Sequence, residues 1–216
     1  MEVILKKIIA YLNNNQLVEA LQLCEKNTEK KIEHLILNIK GVIFFKQNKF
    51  ELAKHNFLKS IDLNQKFIDP HKNLFKLHLR QQDYISAIEN GKKVIEYENK
   101  KNPLSYFNLA LAFDLNKDYK IAIKLYKIVE KTDFKEKKIL FNNLAKCFFS
   151  INNVKESTSY YHKALEFNKN DKIIINNLLN LYLRIGNINE AKYYYNKAKE
   201  IDENYIEFKF NKSEYL

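Results

Sequence analysis

Asparagine recurs at positions 73, 108, 143, 177 and 211, in steps of 35, 35, 34 and 34 residues. A carboxamide donates and accepts at once, so a row of them at a regular rise can satisfy the backbone of an extended peptide without reading its sequence. Cations stand beside the row. Lys72, Lys76 and Arg80 fall at i, i+4 and i+8 of one helix face, and Lys146, Arg184 and the further amide Asn180 occupy comparable places later in the chain. Together they read either as a basic lining suited to an acidic or phosphorylated segment or as an ordinary solvated helix face. Side chains that make and break bonds do not assemble in the same way. There is no Gly-rich phosphate loop, no Cys/His metal spacing and no GxSxG. The acid pair Asp202 and Glu203 falls between helical stretches, where solvated charge is expected. His71 and His78 are seven residues apart with no third ligand beside them, which predicts a packed pair and no metal. Cys24 and Cys147 stand far apart and are expected as buried, reduced thiols. What remains is hydrogen bonding and charge, the chemistry of a binding protein that is not an enzyme and needs no cofactor.

The stretch from Lys172 to Tyr205 shows what positions these side chains. Ile175, Leu178, Leu179 and Tyr182 recur at i, i+3, i+4 and i+7, one face of a helix that Gly186 ends. Ile188, Ala191, Tyr195 and Ala198 repeat the period for a second helix, with Asn187 or Asn189 to cap it. Two such helices cannot bury both apolar faces alone, so the unit needs neighbours. The rest of the chain supplies them. A small residue precedes each second helix at Ala20, Ala53, Ala87, Ala122, Ser157 and Ala191, spaced by 33, 34, 35, 35 and 34. Six units follow, 1–33, 34–67, 68–102, 103–137, 138–171 and 172–205, with this residue as the twentieth of each. The eleventh position holds Tyr11, Phe44, His78, Phe113, Phe148 and Tyr182, and the seventeenth Leu17, Phe50, Tyr84, Tyr119, Val154 and Ile188. Rings at fixed places interlock with small residues at others: Gly41, Ala110 and Ala145 at the eighth position, Ala164 and Ala198 at the twenty-seventh.

This pattern resembles the tetratricopeptide repeat, a 34-residue helix-turn-helix with small residues at its eighth, twentieth and twenty-seventh positions and aromatics at its eleventh and twenty-fourth. Gly41, Phe44, Phe50, Ala53 and Phe57 carry it best, with the Lys172 to Tyr205 unit. The resemblance implies an all-α fold, a right-handed α-solenoid of about six helix-turn-helix units whose first helices line a concave groove. The asparagine row takes the sixth position of successive units and is similar to the ladder lining the superhelix of O-linked N-acetylglucosamine transferase-like proteins. Peptide contacts are therefore expected from Asn73, Asn108, Asn143, Asn177 and Asn211, with Lys72, Lys76, Arg80, Lys146, Asn180 and Arg184 around them and apolar patches at Phe107, Leu111, Phe149 and Leu183. The carboxylate clamp of chaperone-binding members is not reproduced. Lys72 and Asn108 match two of its places, but Lys76 replaces an Asn, and Ile139 and Asn143 replace a Lys and an Arg. Gly91 stands where the second-helix aromatic belongs, which predicts a small hole or a softer helix. His71 and His78 replace bulky packing residues, and Lys7 a leucine in the degenerate first unit.

Composition sets the remaining expectations. Three Gly and two Pro leave little material for tight turns, which points to long helices with few interruptions. No run of about 18 apolar residues exists, and the opening MEVILKKIIAYLNNN has lysines inside its apolar stretch. A soluble, cytoplasmic protein is expected. The formal charge of +11 is almost all lysine, since Arg80 and Arg184 are the two arginines. Without the guanidinium fork, nucleic acid is not an expected partner, nor is a membrane. Residues 206–216, with Asn211, read as a C-terminal helix that either caps the array or begins a seventh unit of a longer protein. In the second case the chain would be the recognition arm of a transferase whose catalytic domain lies elsewhere. Val3, Leu5 and Ile9 at one end and Phe208 and Phe210 at the other could also support weak self-association.

Overall fold

The computed structural model describes residues 2–27, 29–98 and 102–201, and the predicted contacts of Asn211, Phe208 and Phe210 lie outside them. Twelve α-helices make up the fold among the described residues: α1 Glu2–Asn13, α2 Leu17–Lys26, α3 Glu33–Lys46, α4 Phe50–Leu63, α5 Ile68–Arg80, α6 Tyr84–Tyr97, α7 Pro103–Leu115, α8 Tyr119–Glu130, α9 Lys137–Ser150, α10 Val154–Phe167, α11 Lys172–Arg184 and α12 Ile188–Ile201. One 3-10 turn, Lys30–Ile32, leads into α3. Within the two compact units, α1 packs on α2, α3 on α4, α5 on α6, α9 on α10 and α11 on α12. The chain divides into two compact units, Met1–Asn116 with α1 to α7 and Lys117–Leu216 with α8 to α12.

The helices are short, 10 residues in α2 and 14 in α3 or α12, as a 34-residue helix-turn-helix unit requires and against the long helices that the scarcity of Gly and Pro suggests. The reason lies in the turns. Asn15, Asn48, Gln82, Lys117, Asn152 and Gly186 all take the left-handed conformation, with φ between 58° and 72°. They keep the same 33, 34, 35, 35, 34 spacing as the small-residue column, so each ends a first helix at the same place. After several of these turn residues the next amide reaches back five positions to close the helix: Lys49 N–H to Phe44 C=O, Asp83 to His78, Asn153 to Phe148 and Asn187 to Tyr182, each at 2.9 Å. Glycine enters this conformation freely, and Asn tolerates it through its short polar side chain. Turns were therefore available without glycine. Several residues that follow then cap the second helix. Asp83 Oδ1 accepts from the Ser86 amide at 3.1 Å, Asn153 Oδ1 from Glu156 at 3.2 Å and Asn187 Oδ1 from Glu190 at 3.3 Å.

The small-residue column lies at the seam of the pairs within each unit. Ala20, Ala53, Ala87, Ala122 and Ser157 are fully buried and Ala191 nearly so. Ser157 fits there because its hydroxyl donates to the Ala145 carbonyl at 2.8 Å. Rings pack around the seam. Tyr160 stacks on Phe148 with centroids 5.5 Å apart, and Tyr194 stacks on Tyr182 at 5.6 Å. This corrects the expected face of α12. Ala191, Tyr194 and Ala198 are buried there, while Ile188 is exposed and Tyr195 only half-buried.

In α3 and α4 the ring sits on the second helix and the gap on the first. A Cβ added to Gly41 would stand 2.4 Å from Phe57 Cε1, so only glycine admits this ring. In α5 and α6 the two are exchanged. Phe75 supplies the ring from the first helix, and a Cβ on Gly91 would lie 3.2 Å from Phe75 Cε2 and 3.0 Å from Leu109 Cδ1.

Candidate first-helix binding face

The exchange of ring and glycine leaves space on the first-helix side of α6. A pocket of about 150 Å³ opens between α5 and α7, with α6 as its floor. Phe75, Gly91, Val94 and Leu104 provide apolar wall, and Lys72, Lys76 and Asn108 line it as well. The hole expected at Gly91 is thus narrowed by Phe75 and Leu109 directly over the glycine, and stays open beside them. Lys72 Nζ is held 2.9 Å from Glu98, whose carboxylate is largely buried and also accepts from Asn102. Lys76 is exposed and has no ion-pair partner among the described residues. The uncompensated charge at this pocket is therefore that of Lys76.

The amides of the row are joined to a second set that was not singled out in the sequence. Asn73 Nδ2 donates to Asn38 Oδ1 at 2.9 Å, from α5 to α3. Asn177 Nδ2 donates to Asn142 Oδ1 at 2.9 Å, from α11 to α9. Both partners lie 35 residues upstream, at the fifth position of the preceding unit, and that offset is the signal a reading of the sixth position alone passes over. Asn143 is buried, and its Nδ2 lies 3.3 Å from the Tyr126 hydroxyl of α8. Asn108 is half-buried at the pocket, and Asn180 is exposed on α11.

The other predicted cations differ in what they meet. The guanidinium of Arg80 lies over the rings of Phe45 and Phe50, at 5.6 and 5.2 Å, and that of Arg184 lies 4.8 Å over Phe149. Lys146 is exposed on α9. Of the expected apolar patches, Phe107 is buried in the packing of α7, while Leu111, Phe149 and Leu183 are half-buried. Lys138 of α9 pairs with Asp171 at 2.8 Å, tying α9 to the residue that caps α11.

Two further ionisable clusters are formed by side chains outside the predicted set. His71 and His78 are both buried, with His71 Nδ1 3.2 Å from Asn90 Oδ1 and His78 Nδ1 3.3 Å from Asp83 Oδ2. Burial pushes the His78 imidazole below its ordinary range, against the pull of the Asp83 carboxylate. In the second unit Tyr160 donates to Glu130 at 3.0 Å, Lys127 reaches both groups, and Lys163 stands 3.7 Å from Glu130. Burial alone would raise the Glu130 carboxyl, but the hydrogen bonds from Lys127 and Tyr160 and the charges of Lys127 and Lys163 hold it below its ordinary value. Cys24 and Cys147 are buried thiols, not joined in a disulfide, and burial pushes the Cys24 thiol up to about 11. No group of three or more metal-ligating side chains occurs among the described residues, and no helix among them is long and apolar enough to cross a membrane.

Residues 35–67 and 174–205 match the tetratricopeptide repeat family. No curated protein sequence matches the chain. Solved structures do. The chain superposes on MamA with a TM-score of 0.73 and 17% identity, covering 83% of this chain and 97% of that one. It is similar to YrrB, described as a TPR protein with an unusual peptide-binding site, with a TM-score of 0.70 and 14% identity over 88% of this chain and 94% of that one. PilF of Pseudomonas aeruginosa matches with a TM-score of 0.62 and 17% identity over 80% and 78%. At these identities the likeness is one of fold. The chain has a TPR-like solenoid fold.

Proposed function

We propose that this chain is a non-catalytic, cytoplasmic binding module that holds an extended, acidic segment of another protein along the first-helix face of its units. The observation that carries this reading is the company kept by Asn108. A half-buried amide, an unpaired lysine at position 76 and an apolar wall meet in one opening between consecutive first helices. An extended peptide needs those three things: a partner for its backbone, a counter-charge and a place for a side chain. The paired amides keep capacity for the same task. Each Asn carries two donors and an oxygen with two lone pairs, and the bonds Asn73 to Asn38 and Asn177 to Asn142 use one donor or one lone pair of each. Within the second unit by itself, Asn180, Lys146 and Arg184 lie on first helices and offer polar groups of the same kind. Asn143 contributes from within, by holding α9 to Tyr126 of α8. The peptide-binding site attributed to YrrB, a neighbour in fold, supports the same use of this architecture.

An array of synthetic extended peptides of acidic, neutral and basic composition tests the reading. Acidic peptides are expected to be retained, and the double variant Asn108→Ala, Lys76→Ala to lose about tenfold in affinity with its melting temperature nearly unchanged. Equal retention by the double variant, or no preference for acidic peptides, would overturn it.

A further inference from the structure

We infer that the pocket between α5 and α7 is a socket for one bulky apolar side chain of the bound segment, phenylalanine- or leucine-sized, carried next to an acidic residue. This rests on the peptide-binding reading above and names what the peptide must present. Three observations converge. The pocket measures about 150 Å³, and a cavity of about 150 Å³ lined by apolar side chains is large enough to take up benzene. Its wall is built from Phe75, Gly91, Val94 and Leu104, and the last of these is half-exposed at the surface. The space exists because the ring that fills the corresponding place in the α3–α4 pair, Phe57, has no counterpart here. Gly91 stands in its place, and Phe75 covers only part of the gap. The occupant's charge follows from the lysines. Lys72 is neutralised by Glu98 at 2.9 Å, which leaves Lys76 to meet a carboxylate beside the inserted side chain, with Asn108 available to its backbone. A basic or wholly polar segment would leave the apolar wall wet and the Lys76 charge unmet.

The test uses the full chain and acetylated, amidated pentapeptides with a central phenylalanine, leucine or alanine flanked by glutamates or by lysines, titrated by calorimetry. The phenylalanine and leucine peptides with glutamate flanks are expected to bind about tenfold or more tighter than the alanine peptide. Val94→Phe, which fills the socket from its floor, is expected to erase that difference. Lys76→Glu, at an exposed position that does not endanger the fold, is expected to reverse the preference between glutamate and lysine flanks. Binding that persists without regard to the central residue would overturn the socket and leave the peptide-binding face standing. Failure of every peptide to bind would overturn both. A concentration-dependent dimer of the wild-type chain that Val94→Phe abolishes would also overturn the assignment, because a second copy would then be the occupant.

Discussion

The pairs α3–α4 and α5–α6 solve one packing problem with the same two residue types in opposite places. In the first, Phe57 on the second helix lies against Gly41 on the first, and the contact is closed. In the second, Phe75 on the first helix leans toward Gly91 on the second, and a pocket remains beside them. The number of rings and glycines is unchanged, so the seam survives, but the volume has moved. Ring placement within a pair thus decides whether the first-helix face is sealed or open. A packing exchange becomes a binding feature without any new polar residue.

The largest effect expected from this comparison is at Gly41. Gly41→Ala drives a Cβ to 2.4 Å from a ring that is fully buried and cannot move aside, and a loss of about 2–3 kcal/mol in urea unfolding is expected. Gly91→Ala meets Leu109 and Phe75 at 3.0 and 3.2 Å, and the gain in helix propensity, about 1 kcal/mol, offsets most of the crowding. Equal losses at the two glycines would break the comparison.

A second contrast is between the units as pH falls. His78, in the first unit, is held below its ordinary 6.5 by burial, with Asp83, Lys54 and Glu89 around it. A base that resists protonation when folded costs stability once the unfolded chain protonates, so the first unit weakens as pH drops below about 6.5. In the second unit the Glu130 carboxyl is depressed from its ordinary 4.5, burial notwithstanding, by Lys127, Tyr160 and Lys163. Its contribution is full above 4.5 and is lost as pH falls through the lower folded value. Hydrogen exchange measured near pH 5.5 should therefore show the first unit loosened and the second intact. His78→Phe should remove the difference, and a second unit that opens first would contradict the assignment. A smaller effect is expected in the turns, where Gln82→Gly should stabilise the first unit by about 0.5–1 kcal/mol and Asn48→Gly by less, both read from thermal melts. Smallest of all, Cys24 and Cys147 should react with a thiol reagent only when the chain unfolds, given their burial.

Much of the fold was legible because two kinds of residue recur on one spacing. The column from Ala20 to Ala191 marks the seam of the pairs within each unit, and all six of its members are buried. What the sequence concealed has local physical causes. The turns were hidden because Asn15, Asn48 and Asn152 do the work of glycine, and Gln82 and Lys117 carry no turn signal at all. The register of α12 was hidden by three consecutive tyrosines, among which only stacking on Tyr182 selects Tyr194. The binding face was half legible. The position-six amides and Lys76 could be read from spacing, but Asn38 and Asn142 pair with them one position out of register. Phe107, expected on the open face, is turned into the core, and the pocket depends on Phe75, whose role appears only when it meets Gly91.

The central claim is that the first-helix face takes an extended acidic segment. It is tested most directly by mapping amide chemical shifts of the whole chain as a glutamate-flanked phenylalanine peptide is added. Shifts concentrated on α5 and α7 around Lys76 and Asn108, with Gly91 and Val94 below them, are the predicted result. Shifts confined to the even-numbered helices away from Gly91 and Val94, or none at saturating peptide, would contradict it.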